Sequence, residues 1–252
     1  MKKHISVIAL IVCAGFLVTT TNAAVINLAP VKDNTLYEDM GGGTSNGSGE
    51  HLFAGRTPFE NTRRAVLAWD IASSIPAGAT INSVNLTLNM SRCGPTCGTS
   101  VEFELRRLIA DWGEGASDAE NQEGIPAQAE AGDATWLNTF YPGSLWSNPG
   151  GDFSGVASGS QFVSVVGSYT WGSTGQMVAD VQDWLDSPVG NFGWILMGGE
   201  DTTLTAKRFD SRENGIPEAQ PVLSIDYTPV PEPSTVLFVA AGALGVFRLR
   251  RR

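Results

Sequence analysis

Carboxylates crowd one segment of the chain, residues 111–123 (DWGEGASDAENQE), and could together hold a divalent cation. Asp111, Glu114 and Asp118 are the candidate ligands, since Ca²⁺ is bound through oxygen atoms. Their spacing differs from that of an EF-hand loop, and a solvated acidic loop would have the same composition. Ca²⁺ is therefore the one cofactor that the sequence suggests, and no other is expected.

Two carboxylates can also cleave a glycosidic bond, when they flank it about 5 Å or about 6.5–9.5 Å apart. Nucleophilic catalysis lacks its usual parts, because His51 is the one histidine after His4 and no G-x-S-x-G motif is present. We predict that the protein is not an enzyme. The alternative is a polysaccharide-active hydrolase or lyase that works through carboxylates.

Aromatic side chains are the candidates for contact with a glycan, because sugar rings stack their apolar faces on aromatic rings. Trp112, Trp136, Tyr141 and Trp146 lie in the long, weakly periodic segment 111–159, which is rich in Gly, Asp, Glu, Ala and Ser. The alternative is that these rings pack inside the protein and hold the segment in place.

Basic side chains are scarce in the middle of the chain. Residues 24–228 contain 10 Lys and Arg against 25 Asp and Glu, a net charge of about −15. Such a surface repels nucleic acid, so no nucleic-acid partner is expected. The notable basic residues pair either with an anionic glycan or with nearby carboxylates; they are Arg63, Arg64, Lys207, Arg208 and Arg212.

Cys93 and Cys97 are the two cysteines of the region between the termini. The basic start and apolar run at the N-terminus indicate export to oxidising conditions, so we expect a disulfide that closes this short C-x₃-C loop. The spacing differs from that of a C-x-x-C redox motif.

Most of this region reads as strands. Val84, Leu86, Leu88 and Met90 alternate with polar residues, which is the period of a half-buried strand. One segment, STGQMVADVQDWLDSP, has helical spacing instead, with Ser173 or Thr174 as cap and Pro188 after its end. The pattern predicts an all-β protein, a single jelly-roll-like β-sandwich with one short helix.

The two termini have the features of targeting signals. Lys2 and Lys3 precede an apolar run from Ile5 to Val18, and Ala23 and Ala24 offer a small-residue cleavage site, as in a secretory signal peptide. At the other end, VPEPS precedes the apolar residues 235–247 and a tip of four arginines. That run spans about 20 Å as a helix, which is short for a bilayer core of about 30 Å.

The C-terminus resembles the PEP-CTERM class of bacterial surface and exopolysaccharide-associated proteins. The residues that carry the resemblance are Pro231, Glu232, Pro233 and Ser234, followed by the apolar run and the arginine tip. The resemblance implies that Pro231, Glu232 and Pro233 are recognised by a membrane transpeptidase, exosortase, which removes the tail after transient membrane insertion. The alternative is a plain tail anchor.

The central region resembles DNRLRE-domain proteins, bacterial surface β-sandwiches related to a carbohydrate-binding module family. The resemblance rests on ordered pieces that include DNTLY, RRAVLAWDIASSIPAGATINSVNLTL, GDATW, NPGGDFS, MVADVQDWL, NFGWIL and KRFDSRE. It implies the sandwich fold and a structural or polysaccharide-binding role.

The sequence thus predicts three parts: a signal peptide (1–23), a β-sandwich (24–228) and a sorting signal (229–252). We expect an exported protein, attached to the membrane transiently and then located at the cell surface or in the extracellular matrix. Its expected partners are exosortase and an exopolysaccharide or another surface glycan.

Overall fold

The computed structural model describes residues 22–230, and β-strand is their main regular secondary structure. Strands occur throughout, and one α-helix, α1 (Gly175–Asp186), lies among the described residues. The strands are β1 (Ala24–Leu28), β2 (Lys32–Tyr37), β3 (Thr44–Ser45), β4 (His51–Arg56), β5 (Thr62–Ala68), β6 (Thr80–Cys93), β7 (Val101–Leu108), β8 (Ala127–Gln128), β9 (Asn138–Phe140), β10 (Ser144–Leu145), β11 (Phe153–Val163), β12 (Gly167–Trp171), β13 (Trp194–Gly198), β14 (Lys207–Asp210) and β15 (Val222–Thr228).

Eleven of these strands form one antiparallel sheet that turns back on itself through β4. The order along the sheet is β1-β15-β6-β14-β4-β5-β13-β7-β11, with β12 paired to β6 and β2 paired to β5. The first part of β4 pairs with β14, whereas Gly55 and Arg56 pair with β5. Strand β4 therefore joins the two halves of the sheet.

The two halves enclose one hydrophobic core. Leu86 and Leu88 of β6 are fully buried, as is Leu105 of β7 in the other half. The rings of Phe103 on β7 and Phe209 on β14 meet edge to face, with their centroids 5.7 Å apart. The predicted all-β fold with one short helix is thus confirmed, as a curled antiparallel sheet whose halves pack face to face.

The helix begins and ends close to where the sequence places it. Thr174 is the cap, and its side chain accepts a hydrogen bond from the backbone N–H of Met177. Met177, Val181 and Trp184 face the core, as their helical spacing predicts. The Trp184 and Trp194 rings pack with centroids 4.7 Å apart, so the helix is fixed against β13.

The long segment after β7 is ordered and lies over one half of the sheet. It contains the short strands β8, β9 and β10, and its tryptophans form a second hydrophobic cluster with Leu36 of β2 and Ile195 of β13. The segment thus covers the outer face of β2 and β13, because burial of three large rings outweighs the cost of ordering its polar residues.

Strands begin at Ala24 and end at Thr228. The predicted signal peptide (1–23) and sorting signal (229–252), with its apolar run, fall outside the described residues except at Asn22, Ala23, Pro229 and Val230. Within the described part of the chain, no helix is long and apolar enough to cross a membrane.

Candidate functional site

An open groove of about 730 Å³ lies between the outer face of the sheet and residues 118–127. Its walls include Phe53 of β4 and Arg92 of β6. A smaller cavity of about 190 Å³ shares Phe53 and Arg92 with it and adds Arg63, Lys207 and Arg208. We call these two adjoining cavities the groove.

Strand pairing places three groove side chains in one row. Strand β14 lies between β4 and β6, and Arg208 on β14 is directly opposite both Phe53 and Arg92. Directly paired residues point to the same face of a sheet. Phe209, the next residue, is fully buried and faces the core. The strand alternation therefore presents Arg208, Arg92 and Phe53 together on the outer face.

The loop that covers the groove is fixed by Glu123, which is only 4% exposed. Its carboxylate accepts hydrogen bonds from the Asn46 amide at 2.9 Å and from the backbone N–H groups of Glu50 and His51 at 3.0 and 2.9 Å. The backbone carbonyl of Glu123 accepts a further hydrogen bond from the Tyr37 hydroxyl at 3.2 Å. Glu123 therefore acts as an anchor that ties the loop to the start of β4.

Charge pairing differs sharply between the groove and the rest of the surface. Of the ten Lys and Arg residues between 22 and 230, six lie within 4.0 Å of a carboxylate. The other four all line the smaller cavity of the groove; they are Arg63, Arg92, Lys207 and Arg208. In a region with 25 acidic residues, the basic side chains without an ion-pair partner therefore all lie at one location.

Arg92 and Arg208 share one neutral acceptor. Nη1 of Arg92 lies 2.8 Å from Oε1 of Gln122, and Nη1 of Arg208 lies 2.9 Å from the same oxygen. Burial lowers the pKa of the Arg208 guanidinium; Asp210 opposes this and Arg92 adds to it. Burial also lowers the pKa of Lys207, whose ammonium contacts Thr96 Oγ1 at 3.4 Å.

A second charged group lies around Arg212. The carboxylates of Asp33, Glu114 and Glu213 offer oxygens within 4.8 Å of one another. The Arg212 Nε lies 2.8 Å from Glu114 Oε1 and 2.6 Å from Glu213 Oε1. One guanidinium thus lies among three carboxyl groups, whose oxygens are close enough together to be ligands of an oxygen-preferring cation.

The pKa values in this carboxylate cluster follow from burial and from repulsion. Burial raises the pKa of Asp33 well above its usual range, and Glu213 raises it further. Burial also raises the pKa of Glu213, with Glu114 adding to the effect and Arg212 opposing it. Oε2 of Glu213 is buried without a hydrogen-bond partner in the structure.

The structure separates the three carboxylates predicted as calcium ligands. Asp111 pairs with Lys32 at 2.9 Å, Asp118 lies exposed on the groove wall, and only Glu114 joins the carboxylate cluster. Sequence reasoning missed Asp33 and Glu213 as the partners of Glu114. Both belong to pieces quoted for the resemblance, DNTLY and KRFDSRE: Asp33 lies in β2 and Glu213 follows β14, and these two pieces were the available signal.

Three of the four aromatic glycan candidates are buried. Trp112, Trp136 and Trp146 are 1%, 7% and 5% exposed. The indole N–H of Trp112 donates to the Phe192 carbonyl, and that of Trp146 donates to the Thr135 carbonyl, both at 2.9 Å. Tyr141 is partly exposed. Glycan contact by these residues stays a prediction, and Tyr141 is the one of the four that is not buried.

His51 lies beside Asp210 rather than beside a nucleophile. Its Nδ1 is 3.1 Å from Asp210 Oδ1, and the Asn89 amide donates to the other carboxylate oxygen at 2.6 Å. Burial alone would raise the pKa of Asp210, but the hydrogen bonds from His51, Ser91 and Asn89 lower it overall. Within residues 22–230, no serine, threonine or cysteine side chain is hydrogen-bonded to the His51 ring.

Cys93 and Cys97 are joined in a disulfide, with their Cα atoms 5.1 Å apart. The bridge closes the turn after β6, and Cys93 borders the groove next to Arg92.

Comparison with known protein families finds one match, at the C-terminus. Residues 229–252 match the PEP-CTERM protein-sorting motif. The chain carries a PEP-CTERM sorting signal. This confirms the prediction made from Pro231, Glu232, Pro233 and the residues after them, and it supports export, surface-directed sorting and processing by exosortase. No curated protein matches the chain. The resemblance to DNRLRE-domain proteins is not supported by these comparisons, so the β-rich region is not assigned to that family.

Proposed function

We propose that this is an exported protein whose PEP-CTERM tail is removed by exosortase, and whose β-sandwich then acts as a non-catalytic, polysaccharide-binding or structural module of the cell surface or extracellular matrix. The observation that carries the proposal is the match of residues 229–252 to the sorting motif. During sorting, the apolar run at 235–247 inserts transiently into the membrane, with the arginine tip on the cytoplasmic side.

The groove supports the binding role. It is open to solvent, and its volume of about 730 Å³ falls in the range of about 300–1,000 Å³ that is usual for ligand sites. It combines an aromatic ring, Phe53, with arginines and with the amide side chains of Asn121 and Gln122. These groups offer a polysaccharide both hydrogen bonds and a flat apolar contact.

The roles of the buried acid and histidine support a non-catalytic protein. A general acid or base needs a carboxylate or imidazole that can reach the substrate. The carboxylate of Glu123 already accepts three hydrogen bonds that hold the loop. His51 is only 9% exposed, and its ring is hydrogen-bonded to Asp210.

The test is to incubate the purified protein with a panel of neutral and acidic polysaccharides. Retention on the polysaccharide and release of new sugar ends are measured in the same samples. Binding without new ends supports the proposal. New ends that disappear in an Asp118→Asn or Glu120→Gln variant, which change exposed acids of the groove wall, would instead establish the alternative, a polysaccharide-active enzyme.

A further inference from the structure

We propose that the groove binds the oxyanion groups, carboxylate or sulfate, of an acidic polysaccharide, and that Arg92 and Arg208 hold the anion beside the ring of Phe53. This rests on the proposed function, because it names the class of glycan that the same β-sandwich binds.

The first argument is the unusual partner that the two arginines share. A guanidinium makes its strongest hydrogen bonds to an anionic oxygen, often two at once. Here two guanidiniums, on neighbouring strands, donate to a single neutral amide oxygen of Gln122. In the guanidinium of Arg92 only Nη1 has a hydrogen-bond partner among the described residues, and in that of Arg208 only Nε and Nη1 have one. The remaining N–H groups can reach an incoming anion.

The second argument is that acidic side chains are close by in sequence and still leave these arginines unpaired. Asp118, Glu120 and Glu123 belong to the same loop as Gln122 and line the same groove. None of them comes within 4.0 Å of Arg92 or Arg208, although the other arginines of the described region, except Arg63, have such a partner. Gln122, the loop residue that meets the arginine pair, is neutral. The position that an anion would take is therefore held by an uncharged oxygen.

The third argument concerns the kind of molecule that carries the anion. Phe53 is partly exposed and lies in the same row as the two arginines, so an anion held there has a flat apolar surface beside it. A sugar ring that bears a carboxylate or sulfate presents these two features together. A nucleic acid carries one negative charge on every nucleotide, whereas an acidic polysaccharide can carry its anions on only some of its sugars. A surface with a net charge of about −15 repels the more densely charged polymer more strongly, which favours the polysaccharide.

The experiment uses full-length protein in mild detergent and three polymers with one backbone: dextran, and carboxymethyl and sulfated dextrans that carry charges on only a minority of their sugars. The wild-type protein should bind the two charged polymers and not dextran. Arg92→Gln with Arg208→Gln should weaken that binding about tenfold or more, because charge-assisted hydrogen bonds are lost. The matched control, Arg106→Gln, removes an arginine paired with Glu104 on β7 and should leave binding unchanged.

A second pair of variants protects the test against misfolding. Gln122→Glu places a carboxylate against both guanidiniums, so it should keep the fold and weaken polymer binding about tenfold. Gln122→Ala removes the internal acceptor and should bind at least as tightly as wild type. Far-ultraviolet circular dichroism and thermal melting establish that each variant is folded.

Each outcome decides one way. Loss of binding in Gln122→Glu and in the double arginine variant, with Arg106→Gln unaffected, supports the proposal. Equal binding by all variants overturns the site but leaves glycan binding intact. Binding of dextran alone overturns the acidic ligand class and leaves the proposed function standing, whereas binding of no glycan here or in the broader panel counts against both. Complete competition by free sulfate at low concentration would show that the groove recognises a small anion, and it would overturn the proposal that the ligand is a polysaccharide.

Discussion

Asp180 of α1 accepts a hydrogen bond from the indole Nε1 of Trp194 on β13 at 2.9 Å, although Asp180 is only 1% exposed and Trp194 is fully buried. The same carboxylate accepts hydrogen bonds from Ser158 of β11 and from Gln176 of the helix. A buried carboxylate is costly unless it is hydrogen-bonded, and here its partners come from three elements. Asp180 therefore ties the helix to the sheet through polar contacts as well as through the apolar face of α1.

Replacing Asp180 by alanine should lower the free energy of unfolding by about 3 kcal/mol, because buried donors lose their acceptor. Urea denaturation followed by tryptophan fluorescence measures this. Asp180→Asn keeps an acceptor for Trp194 and should lose less. A loss below about 0.5 kcal/mol in Asp180→Ala, which is typical of surface changes, would contradict the role given to this carboxylate.

The carboxylate cluster predicts a pH dependence of stability. The pKa values of Asp33 and Glu213 are raised in the folded protein by burial and by neighbouring carboxylates. A carboxyl group whose pKa is higher in the folded than in the unfolded protein favours the folded state while it is protonated. This contribution to stability is present below the unfolded pKa of about 4 and is lost as the pH rises through the folded pKa. Glu213→Gln should therefore gain stability relative to wild type as the pH rises from about 4 to 7, as measured by thermal melting.

The control for this prediction is Glu218→Gln, which neutralises an exposed acid nearby in sequence. Its stability relative to wild type should change little over the same pH range. The series is repeated with EDTA and with Ca²⁺, because a bound cation would compensate the surplus charge and flatten the wild-type curve. A constant difference in stability between Glu213→Gln and wild type at all pH values would show that folding does not raise the pKa of Glu213.

The buried tryptophans call for a different test from the one that the sequence suggests. From the sequence, we expect Trp112→Ala to lower glycan binding without unfolding the protein. With Trp112 only 1% exposed and packed in the second hydrophobic cluster, that change should lower the free energy of unfolding by about 3–5 kcal/mol.

The informative comparison is Trp112→Phe, which keeps most of the packing, together with Tyr141→Ala at the partly exposed ring. Denaturation curves separate loss of stability from loss of glycan binding. Wild-type stability in Trp112→Ala would contradict the burial of this side chain.

The sorting signal predicts a simple phenotype. Replacing Pro231, Glu232 and Pro233 by alanines removes the recognition element. The variant should therefore keep its C-terminal tail and accumulate in the membrane fraction. Fractionation and mass spectrometry of the variant measure this. Normal removal of the tail from the variant would show that exosortase does not need these residues.

Regular patterns made part of the structure predictable. The alternation in β6 places Val84, Leu86 and Leu88 in the core, and the helical spacing from Met177 to Leu185 corresponds to the buried face of α1. Both predictions depend on local periodicity, which the sequence displays directly. The sorting signal was predictable for a similar reason, since its residues are adjacent in the chain.

The groove was not predictable, because it depends on which strands pair and in which register. Arg92 and Arg208 are brought together by the pairing of β6 with β14, which includes a register shift next to Arg208. From the sequence, Arg208 was singled out as one of the few basic residues of an acidic region, but Arg92 and Gln122 were not. In the same way, Asp33 and Glu213 are 180 positions apart, and only the fold shows that they share a cluster.

The central claim is that the protein is exported and loses its C-terminal tail, and the intact mass of protein released from the native cell surface tests it most directly. We expect a mass that lacks both the N-terminal signal peptide and the residues after the Pro231-Glu232-Pro233 motif. A mass that still includes the arginine tip, Arg248 to Arg252, would contradict the account and would instead indicate a protein retained in the membrane by its tail.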